Sequence, residues 1–375
     1  MSHELSETSP LLPGQGRASN RSTSGTSWRS GDILPSRLRR QSLQVVHPDP
    51  EEVEPQLPAV AISPDHETEL HETRWARQSG GKPNLLASLR HVCKQEIAEF
   101  WGAFMIILFG AGVECQVGLH YHGRTEASDK VIAAYGDHLM GRFAWAVGVA
   151  AAVWISGGVS GGHCNPTVTL VLAVFRGFPL RKVPGFILAQ VLGAAFAALV
   201  IYANYFHSIS LFEGGDAVRT VTGPHATAGL FFTLPAAQLT YLSAFYSEFL
   251  ASAVLISLIF ALADKGNLSP PARTQPFALF LVILGIGSSL GVNTGYAMNG
   301  ARDTGPRLAL WIVGYGSKVW THDSYYFLWA PWAASVVGGL CGAFLYDVSI
   351  YAGRDSPVNR PSSDHKSRAD EEAVV

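Results

Sequence analysis

Six long stretches of apolar residues, almost free of charge, dominate this chain. A helix needs about 20 such residues to cross the hydrocarbon core of a bilayer. Acids occur only near the two ends of the first stretch and at Glu248 in the fourth. The pattern predicts an all-α membrane protein with six transmembrane helices, over residues 96–116, 143–159, 183–206, 238–263, 277–292 and 324–346.

The composition agrees with a membrane protein. Of the 375 residues, 48% are hydrophobic and only 15% are charged, and uncharged stretches alternate with polar ones. The formal net charge of −2 does not suggest a nucleic-acid partner. The four cysteines have no paired spacing, so we predict neither a disulfide framework nor a metal site; they are Cys93, Cys115, Cys164 and Cys341.

The two ends of the chain differ from its centre. Residues 1–88 are rich in Ser, Pro, Arg and Glu, and residues 353–375 have the same character. Such segments bury too little apolar surface to offset the entropy lost on ordering. We therefore predict disordered tails on both sides of a membrane domain at residues 89–352. The first tail has no apolar run that resembles a signal peptide.

The number of spans and the basic residues predict the orientation. An even number of spans places both termini on the same side of the membrane. Basic residues flank the predicted cytoplasmic ends, and a smaller number lie in the opposite loops, so the bias is modest. We predict cytoplasmic termini and a location in the plasma membrane. The basic residues assigned to the opposite loops are Arg124, Lys130, Arg142 and Lys318.

Two further apolar segments are too short to span a bilayer. They cover residues 166–175 and 300–313, and each follows an asparagine at the expected N-cap, Asn165 or Asn299. At 1.5 Å per residue, ten helical residues extend roughly 15 Å, about half of the hydrocarbon thickness. These segments are predicted to be re-entrant half-helices.

The two halves of the membrane domain resemble each other. Glu99 in the first span matches Glu248 in the fourth, and the residues before Asn165 match those before Asn299. Each half contains three spans, so the second copy enters the membrane upside down. In inverted repeats, short broken helices at corresponding places mark the functional site. The two half-helices should therefore meet tip to tip near the middle of the membrane.

The residues around the two asparagines resemble the signature loops of the aquaporin superfamily. The loops read SGGHCNPTVT at residues 160–169 and GYAMNGARDTGPR at residues 295–307. The resemblance covers roughly residues 90–350 and favours the glycerol-conducting branch, and the long tails are similar to those of fungal aquaglyceroporins. It implies a channel with six transmembrane helices and two re-entrant half-helices.

The two signature motifs depart from the usual pattern of that family. The family usually carries Asn-Pro-Ala at both tips, whereas this chain has Asn165-Pro166-Thr167 and Asn299-Gly300-Ala301. Thr167 adds bulk at a packed contact. Gly300 removes the proline that fixes φ at the first helical position, which predicts a looser second tip.

The resemblance implies that Asn165 and Asn299 donate hydrogen bonds to the passing solute. They also cap helices whose unpaired N–H groups and dipoles concentrate positive potential. Two such ends facing each other should repel cations and interrupt proton relay. The alternative is that the asparagines cap the helices without contacting a solute.

The resemblance also implies an outer constriction formed by Trp145, Gly287, Tyr296 and Arg302. A charged arginine at membrane depth is costly unless it lines water, which indicates a function for Arg302. Water-selective members commonly carry a histidine at the position of Gly287, so the glycine favours glycerol. Alternatively, Trp145 anchors the interface between membrane and water, and Arg302 faces headgroups or pairs with an acid.

Three acids complete the predicted site. Asp303 resembles a marker of the glycerol branch and is placed to pair with Arg307 four residues later. Glu99 and Glu248 are implied to accept hydrogen bonds from backbone N–H groups of the re-entrant loops, with proton relay as the alternative. In the sixth span, Pro331 fits the glycerol branch, but Trp332 is more like the water channels.

Together these features predict a passive channel for glycerol and related small neutral solutes, with water. No nucleophile-base pair or phosphate-binding loop is present in the motifs, so we predict neither enzymatic activity nor a cofactor. The family resemblance implies a homotetramer with one pore in each subunit. Three alternatives stay open: an ion-coupled transporter, a channel that prefers water or hydrogen peroxide, and a non-conducting sensor or scaffold.

Overall fold

The computed structural model describes residues 85–120 and 136–360. Most of the two predicted tails therefore lies outside the described residues, as do Arg124 and Lys130. The predicted boundary at residue 88 falls inside a helix, α1, at Leu85–Val92. Residues 353–360 include the buried Ser356, whose hydroxyl donates to Asp347 at 2.5 Å.

Six helices in the described part of the chain are long and apolar enough to cross a membrane, which confirms the predicted number of spans. The first five are α2, α3, α5, α6 and α7, at Lys94–His120, His138–Ser160, Val183–Glu213, Tyr241–Ala263 and Gln275–Leu290. The sixth is composite. It begins as α9 at Lys318–Phe327, which contains a kink because the backbone of residues 322–325 is not helical. It then widens to a π-helical segment at Leu328–Ala334 and ends as α10 at Ser335–Ser349.

Two of the basic residues assigned to loops lie in helices instead. Arg142 belongs to α3, which begins five residues earlier than predicted, and Lys318 opens α9. The earlier start of α3 has a local cause, because the side chain of Asp137 caps the helix by accepting from the backbone N–H of Met140. The prediction missed this cap because it placed the start at the first continuous apolar residues.

The two short apolar segments form half-helices. The first, α4, covers Pro166–Phe175, and its ten residues match the predicted segment. The second, α8, covers Gly300–Leu310 and continues as one wide turn at Trp311–Tyr315. Pro166 stands in the first turn of α4, where its missing N–H leaves no hydrogen bond unmade.

Glycines bring equivalent helices of the two halves into close contact. A Cβ atom on Gly193 of α5 would lie 2.0 Å from the carbonyl oxygen of Phe100 in α2. A Cβ atom on Gly338 of α10 would lie 2.1 Å from the carbonyl oxygen of Phe249 in α6. Phe100 and Phe249 follow the two matched glutamates. The same small-residue contact, which lets helix backbones approach within a membrane, therefore recurs in both halves.

Candidate functional site

The tips of α4 and α8 have nearly the same backbone geometry. Asn165 and Asn299 are extended N-caps, with φ and ψ of −157° and 123° in one and −154° and 106° in the other. The residues before them, Cys164 and Met298, adopt left-handed φ values of 49° and 47°. Asn299 therefore has nearly the same backbone conformation as Asn165, although Gly300 follows it in place of a proline.

Each asparagine side chain bonds to both half-helices. Its Oδ1 accepts from backbone N–H groups of its own half-helix. Asn165 Oδ1 accepts from Thr167 N, and Asn299 Oδ1 accepts from Ala301 N and Arg302 N. Its Nδ2 donates to the opposite loop: Asn165 reaches the Met298 carbonyl at 2.8 Å, and Asn299 reaches the Cys164 carbonyl at 2.9 Å. These reciprocal bonds join the two tips. Because an amide nitrogen carries two hydrogens, each asparagine retains a second donor.

Glu99 is completely buried behind the first tip and accepts four hydrogen bonds. Its Oε1 accepts from Ser160 Oγ at 2.5 Å and His163 N at 2.9 Å. Its Oε2 accepts from Cys164 N at 2.6 Å and Gln190 Nε2 at 2.7 Å. All the partners are donors, so the carboxylate is placed to hold the strained loop before Asn165 from behind.

Glu248 has the equivalent position behind the second tip. It is also completely buried, and its two oxygens accept from Ala297 N at 2.9 Å and Met298 N at 2.8 Å. Both glutamates thus face N–H groups of the loops, as the family resemblance implied. It stays a prediction that the function of the two glutamates is to hold these loops.

Thr167 fits against a glycine of the sixth span. A Cβ atom on Gly339 would lie 2.7 Å from Thr167 Cγ2, so the threonine methyl fills space that an alanine at residue 339 would need. The Thr167 hydroxyl is buried, with no hydrogen-bond partner in the described structure. The extra bulk at the first tip is therefore directed into the helix packing.

Three of the four residues predicted for the outer constriction meet. Arg302 lies over the indole of Trp145, with 4.1 Å from its Cζ to the ring centroid, and its Nη1 donates to the Phe231 carbonyl at 3.2 Å. Tyr296 lines the same cavity. Trp145 is only 5% exposed, which argues against a role as an anchor at the membrane surface.

Gly287 does not line this cavity. A Cβ atom built on it would lie 2.9 Å from Tyr296 Cζ, so the tyrosine ring covers the glycine. The prediction grouped Gly287 with the constriction because of its position in the family. In the structure the glycine makes room for Tyr296, and the tyrosine forms that part of the wall.

Glu114 and Arg142 also reach the constriction, although neither was predicted to do so. Glu114 Oε1 accepts from Trp145 Nε1 at 3.0 Å, and the Arg142 guanidinium lies over the Tyr296 ring at 4.9 Å. The sequence signal for Glu114 was its position, since it is an acid near the end of an apolar span. Because that position suggests a headgroup contact equally well, sequence alone did not identify its partner.

Asp303 is buried outside the cavity and joins α8 to the segment that contacts Arg302. Its Oδ1 accepts from the backbone and hydroxyl of Thr233, and its Oδ2 accepts from Arg307 Nε at 2.5 Å. Both charged side chains are 0% exposed. Arg307 also donates to the carbonyls of Val319 and Thr233. Since Phe231 and Thr233 belong to one segment, Asp303 supports the contact of Arg302 indirectly.

The cavity lining contains two chemically different groups of residues. The aliphatic group comes from five helices. The polar group includes Asn165, Asn299 and Arg302, whereas Pro166, Thr167, Gly300 and Ala301 lie outside the lining. The aliphatic residues are Ile106, Val149, Ala152, Val153, Val168, Leu255, Ile259, Leu279 and Ile283.

Comparisons with known proteins agree on one family. The profile of the family described as Major intrinsic protein matches residues 87–346. Aquaporin-7-2 of Laccaria bicolor is 48% identical over 273 residues, which cover 73% of this chain and 80% of the relative. Probable aquaglyceroporin-2 of Gibberella zeae is 46% identical over 273 residues, covering 73% of this chain and 77% of the relative.

A solved structure has the same fold. The aquaglyceroporin from Plasmodium falciparum superposes with a TM-score of 0.58 at 27% sequence identity, over 68% of this chain and 96% of that one. Members of this family are channels rather than enzymes. The paired half-helices, the six spans and the extent of these matches together show that the chain belongs to the major intrinsic protein family, the aquaporins.

Proposed function

We propose that this aquaporin is a passive channel for glycerol and related small neutral solutes, with water. The observation that carries the proposal is the constriction, where the guanidinium of Arg302 stands beside the rings of Trp145 and Tyr296. A polyol presents hydroxyl groups along one side and CH groups along the other. The arginine fork suits the hydroxyls as a donor, and the aromatic rings suit the CH groups.

The remainder of the cavity supports the same solute class. Beyond the constriction, a polyol would meet both aliphatic side chains and the donors of Asn165 and Asn299. A small neutral solute can exchange its hydrogen bonds with water for bonds to these groups. A cation would lose hydration without gaining an opposite charge, because the charged side chain of the described lining is Arg302, and the positive ends of α4 and α8 oppose cations further.

The intramembrane acids do not favour ion-coupled transport. Glu99 and Glu248 are completely buried and bond to the loops, and neither lines the cavity. A coupling acid must exchange protons or ions with the transport pathway. These acids instead hold the loops in their irregular conformation, which suits a fixed pore.

The remaining proposals concern assembly and location. We propose a homotetramer in the plasma membrane, with cytoplasmic termini. The apolar residues exposed along the outer faces of the helices suit contact with lipid or with other subunits, for example Trp154, Leu188, Leu242 and Val348. Cross-linking of the purified protein would count the subunits.

The proposed solute is tested by stopped-flow light scattering on proteoliposomes, with glycerol and sucrose gradients applied in parallel. We expect glycerol to enter much faster than into empty liposomes, at a rate proportional to its gradient and with a low activation energy. Glycerol entry that saturates and depends on a proton gradient would indicate a transporter. Rapid water flow without glycerol entry would indicate a water or peroxide channel, and no flow of either would indicate a scaffold.

A further inference from the structure

The space that Gly300 leaves open is filled by Trp332. A Cβ atom on Gly300 would lie 2.4 Å from both Cδ2 and Cε2 of the Trp332 indole and 2.8 Å from its Nε1. These atoms belong to a rigid ring system and cannot yield by a small rotation about one terminal bond. No side chain fits at residue 300 while the indole keeps this position.

The same indole is fixed at its polar edge. Trp332 Nε1 donates to Thr304 Oγ1 at 2.8 Å. Thr304 lies four residues after Gly300, one turn further along α8. The indole therefore contacts the first turn of α8 at two points, an apolar contact at Gly300 and a hydrogen bond at Thr304.

The location of Trp332 in the sixth span explains how the ring reaches α8. Trp332 belongs to the π-helical segment Leu328–Ala334, directly after Pro331. Proline has no N–H to donate, and π-helical turns are wider than α-helical ones and frequently occur at functional sites. The widened turn therefore lies at the place where this helix meets the half-helix.

We propose that Trp332 is a positioning residue that replaces the missing proline of the second tip. Proline would fix the backbone at residue 300 by its ring, whereas Trp332 confines it from outside. The backbone at Asn299 matches that at Asn165, which does precede a proline. Asn299 and Arg302 flank this turn, so Trp332 sets the position of one tip donor and of the constriction arginine.

The central test is a double-mutant cycle between residues 300 and 332. Gly300→Pro restores the usual residue of the family, but its side chain overlaps the indole. We expect this substitution to lower the Tm of the purified protein by several degrees in the wild-type background. In the Trp332→Ala background the same substitution should be neutral or stabilising, because an extended Asn299 and a first-turn position both suit proline.

Trp329→Ala is the matched control. Trp329 belongs to the same π-helical segment, but its ring packs on Tyr241 and Tyr326 instead of α8. Gly300→Pro should therefore lower Tm by the same amount in the Trp329→Ala background as in the wild type. If Gly300→Pro lowers Tm equally in the Trp332→Ala and wild-type backgrounds, the proposed contact is overturned, because substitutions at unconnected sites have additive effects.

A second measurement separates positioning from simple packing, and it depends on the proposed function. We expect Trp332→Ala to change the ratio of glycerol to water permeability several-fold, because Arg302 moves, whereas Trp329→Ala should lower Tm without changing the ratio. An unchanged ratio with Trp332→Ala would overturn the positioning role. If the wild type conducts neither solute, the proposed function fails, and the Tm cycle still decides whether Trp332 confines residue 300.

Discussion

Replacement of Asp303 by alanine is expected to lower the free energy of unfolding by about 3–5 kcal/mol, the usual effect of removing one partner of a buried ion pair. Asp303 and Arg307 are both 0% exposed. Without the carboxylate, the arginine charge stays buried and keeps only carbonyl and aromatic contacts, including the Phe232 ring at 4.0 Å. Thr233 also loses the acceptor of its N–H and hydroxyl groups.

Thermal unfolding of the purified protein measures this effect. A loss of about 3–5 kcal/mol corresponds to a fall in Tm of roughly 6–20 °C for a domain of this size. The double variant Asp303→Ala/Arg307→Met should be more stable than Asp303→Ala alone, because no unpaired charge remains. Asp323→Asn, which removes the charge of a partly exposed partner of His322 and suits the left-handed φ of 47° at this residue, is the control and should have little effect. A Tm of Asp303→Ala close to that of the wild type would contradict the account.

Glu99→Gln is expected to destabilise the protein more than Glu248→Gln. Glutamine keeps one acceptor oxygen and replaces the other with a donor. In Glu99 each oxygen accepts from two donors. The NH2 group of the glutamine would therefore leave two donors without an acceptor, whichever way the amide is oriented. In Glu248 each oxygen has one backbone partner, so only one N–H is left without an acceptor. Each buried donor that loses its acceptor costs about 1–3 kcal/mol.

The measurement compares the Tm of both variants with that of Glu96→Gln, which changes a half-buried acid that precedes Glu99 in α2. The expected order of Tm is Glu96→Gln highest and Glu99→Gln lowest. Glycerol permeability should fall with the two buried variants, because the loops before Asn165 and Asn299 lose their supports. An equal Tm for all three variants would show that the buried carboxylates do not hold these loops.

The spans and half-helices were predictable because each depends on a local pattern. Length and apolarity identified the spans, and the asparagine before each short apolar segment marked the start of a half-helix. The match between Glu99 and Glu248 located the two tips. These features repeat in both halves of the chain, so one copy supported the interpretation of the other.

The side-chain contacts that shape the constriction were not predictable in this way. Gly287 was assigned to the wall, but Tyr296 covers it. Glu114 bonds to Trp145 across 31 positions, and Trp332 reaches Thr304 across 28 positions. Such contacts depend on the crossing of helices that are distant in sequence, and neither spacing nor composition encodes that crossing. Gly300 alone suggested a loose tip, because Trp332, which packs against it, lies in another helix.

The central claim is that the constriction around Arg302 selects the solute, and the most direct measurement compares glycerol with water permeability in wild-type and Arg302→Ala proteoliposomes. Arg302 is the charged donor of the cavity wall beside Trp145 and Tyr296. We expect the wild type to conduct glycerol well above empty liposomes and Arg302→Ala to change the glycerol-to-water ratio several-fold. A folded Arg302→Ala variant with the wild-type ratio would contradict the claim.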